Sequence, residues 1–168
     1  MKTLVIGGTG PTGPFVVKGL LEQGHDVAIL NRGSHESPDL PNSVERIIAD
    51  PHFEETLTVA LSGRSFDQII ASYGRLRIIA GLVGEHTDRL ISVGGSPGYR
   101  GIQSPEAVFP EGLQVPLPEI APQIESEKEF RFGFLVKQAE DAVMEGHAAG
   151  NYVATHLRYP LVYGPRQP

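Results

Sequence analysis

The stretch "VIGGTGPTGPFVV" (residues 5–17) constrains the fold more than any other part of the chain. Gly7, Gly10 and Gly13 recur every three residues, directly after the apolar run "KTLVI" (2–6) and before "PFVVKGLLEQ" (14–23), which reads as a helix. The first glycine permits a tight turn at a strand exit, and the second lets backbone approach a bound group. The third lets the helix pack close to the strand. Pro14 suits the first helical turn, where its missing N–H would be unpaired anyway, and Gly24 suits the C-terminal end. A glycine ladder in this setting predicts a phosphate cradle, where backbone N–H groups and the positive end of the helix dipole meet an anion. Pro11 has no N–H to give, so Thr12, through its N–H and hydroxyl, is the expected main donor.

The rest of the chain alternates in the same way. Strands are predicted at 2–6, 26–30, 44–48, 66–72, 88–93 and 152–158, and helices at 14–23, 53–63, 76–86 and 126–148. The connection 31–43 is too short and too broken by polar residues for a full crossover helix. Six prolines from Pro97 to Pro122 mark an irregular excursion. Nearly continuous apolar strands separated by helices predict an α/β fold: a doubly wound parallel sheet covered on both faces. Ligands of such sheets bind at the carboxyl ends of the strands, near the point where strand order reverses.

Composition narrows the function classes. The 168 residues suffice for one domain with a real core, and 40% hydrophobic with 20% charged residues describes an ordinary globular chain. A net charge of −6 without a Lys/Arg run lacks the basic footprint of nucleic-acid binding. No stretch approaches the about 18 apolar residues of a membrane span, and no signal peptide is expected ahead of the first strand. Cysteine is absent, which removes thiol nucleophiles, Cys-type zinc sites and disulfides, and fits the expected cytoplasmic setting. Histidines 25, 35, 52, 86, 147 and 156 show no metal-ligand spacing, so no metal is expected and most are expected on the surface or in loops. "GGSPG" (94–98) matches the nucleophile elbow of hydrolases, but Pro97 lacks the N–H that the oxyanion hole would need.

The end of the second strand bears on which dinucleotide the cradle would hold. An acid there usually binds the ribose 2′-hydroxyl of NAD. This chain reads "LNRGSHE", with Asn31 and Arg32 and no carboxylate until Glu36. Arg32 can pair with a 2′-phosphate, with Asn31 and Ser34 as hydrogen-bond partners, which favours NADP and leaves NAD possible. Ala71 and Ser72, ending strand four, are expected to border the same cofactor.

Three ordered motifs resemble the extended short-chain dehydrogenase/reductase family, the NAD-dependent epimerase/dehydratase group. "GGTGPTG" is similar to its glycine loop, "ADPHFEETLTVAL" (49–61) to its acid-containing adenine segment, and "HLRYPLVYGPRQ" (156–167) to its signature after strand six. The resemblance implies a Rossmann NAD(P)-binding domain over 1–168, with Asp50 by the adenine and Tyr159 beside the nicotinamide. It also implies hydride transfer at a carbonyl or alcohol carbon of a sugar-type or other substrate. Family members continue into a small substrate domain, so the chain is expected to be the N-terminal part of a longer protein.

The expected catalytic centre departs from the family pattern of Tyr-x-x-x-Lys plus a hydroxyl after strand five. Lys137 stands where the lysine would hold the ribose, but the residue four before it is Gly133, flanked by Phe132 and Phe134. Ser92 and Ser96 are the candidate hydroxyls, and Tyr73, directly after strand four, is the best substitute acid. The alternative reading is an NADP(H)-binding sensor that turns nothing over.

Overall fold

The computed structural model describes residues 1–34, 39–72, 75–103, 105–109, 113–160 and 162. Each apolar run becomes a parallel strand: β1 (Lys2–Ile6), β2 (Asp26–Asn31), β3 (Glu45–Ile48), β4 (Gln68–Ala71), β5 (Arg89–Gly95) and β6 (Val153–Tyr159). They form one sheet in the order β3-β2-β1-β4-β5-β6, with every neighbouring pair parallel. The helices are α1 (Gly13–Glu22), α2 (Glu54–Leu61), α3 (Leu76–Leu82), a single turn α4 (Pro105–Val108) and α5 (Arg131–Ala148). None of the helices described is long and apolar enough to cross a membrane.

Alternation along β1 divides the core into two layers. Leu4 and Ile6 join Leu57 and Leu61 of α2, Ile79 of α3 and Val143 of α5 in one apolar cluster. Val5 joins Val17 of α1 with Leu40 and Val44 of the β2–β3 connection in the other. Right-handed crossovers produce this division. The chain moves outward through β2 and β3 over one face, then crosses back to β4 and continues to β6 over the other. The order therefore reverses between β1 and β4, the switch point where α/β sheets leave room for a ligand. Each fully buried Leu or Ile in these layers is worth roughly 1.5–3 kcal/mol over exposure.

Gly24, at φ +78°, closes α1 with the double bond pattern its position predicts: its N–H donates to Leu21 O and that of His25 to Leu20 O. Most boundaries shift by a residue or two from the sequence-based expectation, and three differences have a visible structural counterpart. The helix expected over 76–86 ends at Leu82 and continues as a 3₁₀ turn, Val83–Glu85. Strand five runs on to Gly95, because its last residues pair with Arg158 and Tyr159. The helix expected from 126 begins only at Arg131. Upstream of it the chain is held extended against 98–100 by Arg100 N–H to Pro122 O and Ile124 N–H to Gly98 O, and Arg100 pairs with Glu129 at 2.7 Å. Within the proline-rich excursion the structure adds α4 and a 3₁₀ turn at Ser96–Gly98.

Candidate functional site

Strand register builds the site. Ile6 pairs with Leu30 on one side and Ala71 on the other, so β1, β2 and β4 end flush. Gly7 N–H donates to Leu30 O and Ser72 N–H to Ile6 O, both at 3.0 Å, which brings the glycine loop, the β2 end and the β4 end to one edge. A cavity of about 190 Å³ opens there, lined by Gly7, Thr9, Gly10, Asn31–Ser34, Leu30, Pro51 and Ser72.

The three glycines differ in what requires them. Gly7 has φ +91°, and a Cβ there would lie 3.1 Å from Ser72 O. At Gly13 a Cβ would collide with the backbone of Gly8, so only glycine lets α1 sit against the loop. At Gly10 a Cβ would meet nothing nearer than Gly7 O at 3.8 Å. Protein packing leaves that position free, and the space above it belongs to the cavity. The N–H groups of Gly10 and Gly13 are engaged inside the loop, on Gly7 O and Gly10 O. Those of Thr9 and Thr12 make no hydrogen bond among the described residues. This fits an anion cradle.

Asn31 is partly committed, since its Oδ1 accepts the N–H of Gly33 at 2.8 Å and so shapes the turn. Arg32 is exposed and lines the cavity. Asp50 lies beside Pro51 at its rim, bonded to the N–H and ring of His52 at 3.0 and 2.7 Å. These bonds, together with the charges of His52 and Arg32, outweigh partial burial and hold the Asp50 carboxyl below its usual range. Gly7, Gly10, Asn31, Arg32, Ser34 and Ser72 thus line one cavity. Thr12, Gly13, Asp50 and the fully buried Ala71 do not line it. Thr9, Gly33 and Pro51 line it without having been singled out by the sequence; the G-x-x-G spacing itself was the signal for Thr9.

Ser96 and Tyr159 line a second, larger cavity of about 820 Å³ at the ends of β5 and β6. Lys137 lines neither cavity; its Nζ pairs with Asp141 on its own helix at 2.6 Å. Tyr73 lies outside the described residues. At Gly133, where the related pattern carries its tyrosine, a Cβ would collide with the Pro97 carbonyl and with Ile124. The 3₁₀ turn after β5 fills that space.

The histidine expectation needs a correction at His156, whose side chain is 5% exposed. It faces inward from β6 and shares a hydrogen bond of 2.8 Å with the fully buried Ser92. Its Nε2 is 3.5 Å from Glu140 Oε2, with no hydrogen-bond partner among the described residues. Glu140 of α5 in turn receives both arms of Arg158, whose Nη1 also reaches the Tyr99 hydroxyl. Burial works against the Glu140 charge, but hydrogen bonds from Arg158 and Gln123 and the charges of Arg158 and His156 prevail and hold its carboxyl low. Burial pushes His156 below its ordinary value, opposed by Glu140 and reinforced by Arg158. The network is buried at Ser92, His156 and Glu140 and ties α5 to β5 and β6. Ser92 and His156 stand 64 residues apart and Glu140 and Arg158 18, so no local spacing announces these pairs.

No known family profile and no curated protein matches the sequence. Solved structures do. The UDP-glucose 4-epimerase of Thermotoga maritima, solved with UDP-glucose, superposes with a TM-score of 0.79 at 19% identity, over 100% of this chain and 58% of that one. The UDP-glucose 4-epimerase of Thermus thermophilus, in complex with NAD, gives 0.75 at 20% identity over 100% and 58%. Vestitone reductase from alfalfa gives 0.67 at 19% identity over 94% and 56%. The chain spans less than two thirds of the length of each. At such identities the likeness is one of architecture: this chain folds as the doubly wound Rossmann sheet found in epimerases and reductases.

Proposed function

We propose that the chain binds a nicotinamide dinucleotide, NADP(H) in preference, as the cofactor-binding part of an epimerase/dehydratase-like oxidoreductase acting on a carbonyl or alcohol carbon. The observation that carries this reading is the small cavity, where an unobstructed Gly10, the Thr9 amide, Arg32 and Ser34 converge at the switch point of the sheet. Several structural neighbours were solved with NAD, which supports the cofactor class. When bound, the nicotinamide supplies the hydride donor or acceptor. The loop amides would hold the pyrophosphate, and Arg32 would supply a guanidinium to a 2′-phosphate. Calorimetric titration with NADPH and NADH tests the reading, and failure of both to bind rejects it. For the preference, Arg32→Ala is expected to weaken NADPH about tenfold while changing NADH about twofold or less; equal losses reject NADP.

A second reading, a dinucleotide sensor without turnover, is favoured by one observation. The tyrosine position is glycine, and the Pro97 carbonyl occupies the space beside it. Dinucleotide binding without turnover of carbonyl or sugar-nucleotide compounds would support it.

A further inference from the structure

The larger cavity differs in chemistry from what a sugar nucleotide would call for. Its wall comes from the start of α3, the end of β5, the first half of α5 and the residues after β6. Leu76, Ile78, Leu135, Val136 and Ala139 make much of it. Phe132 and Leu135 line it while remaining 58% and 40% exposed, so the slot presents apolar carbon to water. Neutral hydrogen-bonding side chains are few: Ser96, Gln103 and Tyr159. A sugar with its ring of hydroxyls would leave most of them unpaired against aliphatic carbon, a cost of about 1–3 kcal/mol for each group buried.

Among the described residues that line this cavity, Arg75 and Arg77 at the start of α3 carry its charge, Tyr159 is the one other ionisable side chain, and no carboxylate joins them. Arg77 donates to Gln138 at 3.2 Å. The guanidinium of Arg75 is exposed and pairs with no described residue. An apolar slot bordered by an arginine without a described partner, Arg75, is complementary to a carbon skeleton ending in one carboxylate.

We propose that this cavity binds an aromatic or aliphatic carboxylic acid, in preference to a nucleotide sugar. Treating that acid as the substrate rests on the dinucleotide reading above; its binding does not. The volume of about 820 Å³ lies within the range of pockets that enclose small organic molecules and leaves room for more than a short acid.

The test is calorimetric titration of the chain with phenylbutyrate, with its methyl ester and with UDP-glucose, alongside separate NADPH and NADH titrations. The acid is expected to bind saturably, the ester about tenfold more weakly, and UDP-glucose not at all. Arg75→Gln should bring the acid down to the level of the ester. Leu135→Glu, a change at a half-exposed position, should weaken the acid about tenfold by setting a like charge in the slot. Both variants are checked for fold by their thermal midpoints. Saturable UDP-glucose binding, equal affinity for acid and ester, or indifference of the acid to both variants overturns the proposal. Self-association that closes the cavity, seen as a concentration-dependent sedimentation rate without acid binding, overturns it in favour of a second copy. Acid binding with neither NADPH nor NADH binding leaves this proposal standing and rejects the dinucleotide reading; dinucleotide binding without acid binding separates them the other way.

Discussion

The two cavities share one sheet edge and are built from different materials. The smaller is largely backbone: a glycine loop in which Gly7 and Gly13 leave no room for a side chain, amides without a partner among the described residues, and strand ends brought flush by register. The larger is side chain, apolar around its wall and bordered by Arg75 and Arg77. Behind it lies the Ser92–His156–Glu140–Arg158 network. A site made of backbone depends on a few positions having no side chain at all. A site made of side chains depends on partners far away in sequence finding one another.

The contrast can be broken most forcefully behind the larger cavity. Glu140→Leu leaves Arg158 and His156 facing an interior without their carboxylate and is expected to cost about 3–5 kcal/mol in urea unfolding. A loss under about 1 kcal/mol would mean that the network does not hold α5 to the sheet. At the smaller cavity, Gly13→Ala forces α1 off the loop, with an expected cost of about 2–3 kcal/mol. Gly10→Ala should change stability by no more than about 0.5 kcal/mol while weakening dinucleotide binding. Similar stability losses for the two glycine variants would show that both serve packing alone.

The smallest expected effect concerns pH. The native pKa values of His156 and Glu140 are both held low, so on acidification the unfolded chain takes up protons first and stability falls. The loss should begin as pH drops through about 6.5 for His156 and deepen near about 4.5 for Glu140. Asp50 adds the same sign beside the smaller cavity, at lower pH. Urea midpoints measured between about pH 8 and pH 4 check this, and His156→Gln should remove the first part of the decline. A decline that persists unchanged in that variant assigns it elsewhere.

Legibility follows the same division. Strand and helix order could be read from period and punctuation, and the glycine loop from spacing, because both are local signals. Asn31, Arg32 and Ser34 were found through their place after β2, again a local argument. The helix start at Arg131 was missed because tertiary contacts of Pro122, Ile124 and Glu129 with 98–100 override a segment that would otherwise be helical. His156 looked like a surface residue because its partners, Ser92 and Glu140, lie on other elements. The apolar wall of the larger cavity was indistinguishable from core in sequence, since Leu135 and Phe132 sit in an ordinary amphipathic helix and only the fold leaves them uncovered.

The contact between Gly133 and the Pro97 carbonyl limits what this position can become. No side chain of any kind can be added at position 133 while the 96–98 turn stays where it is, because the first obstacle is main chain. A tyrosine could be accommodated there only if the turn withdrew. Main chain therefore fixes the shape of the larger cavity's floor at this point, and the side chains that line the cavity are arranged around it.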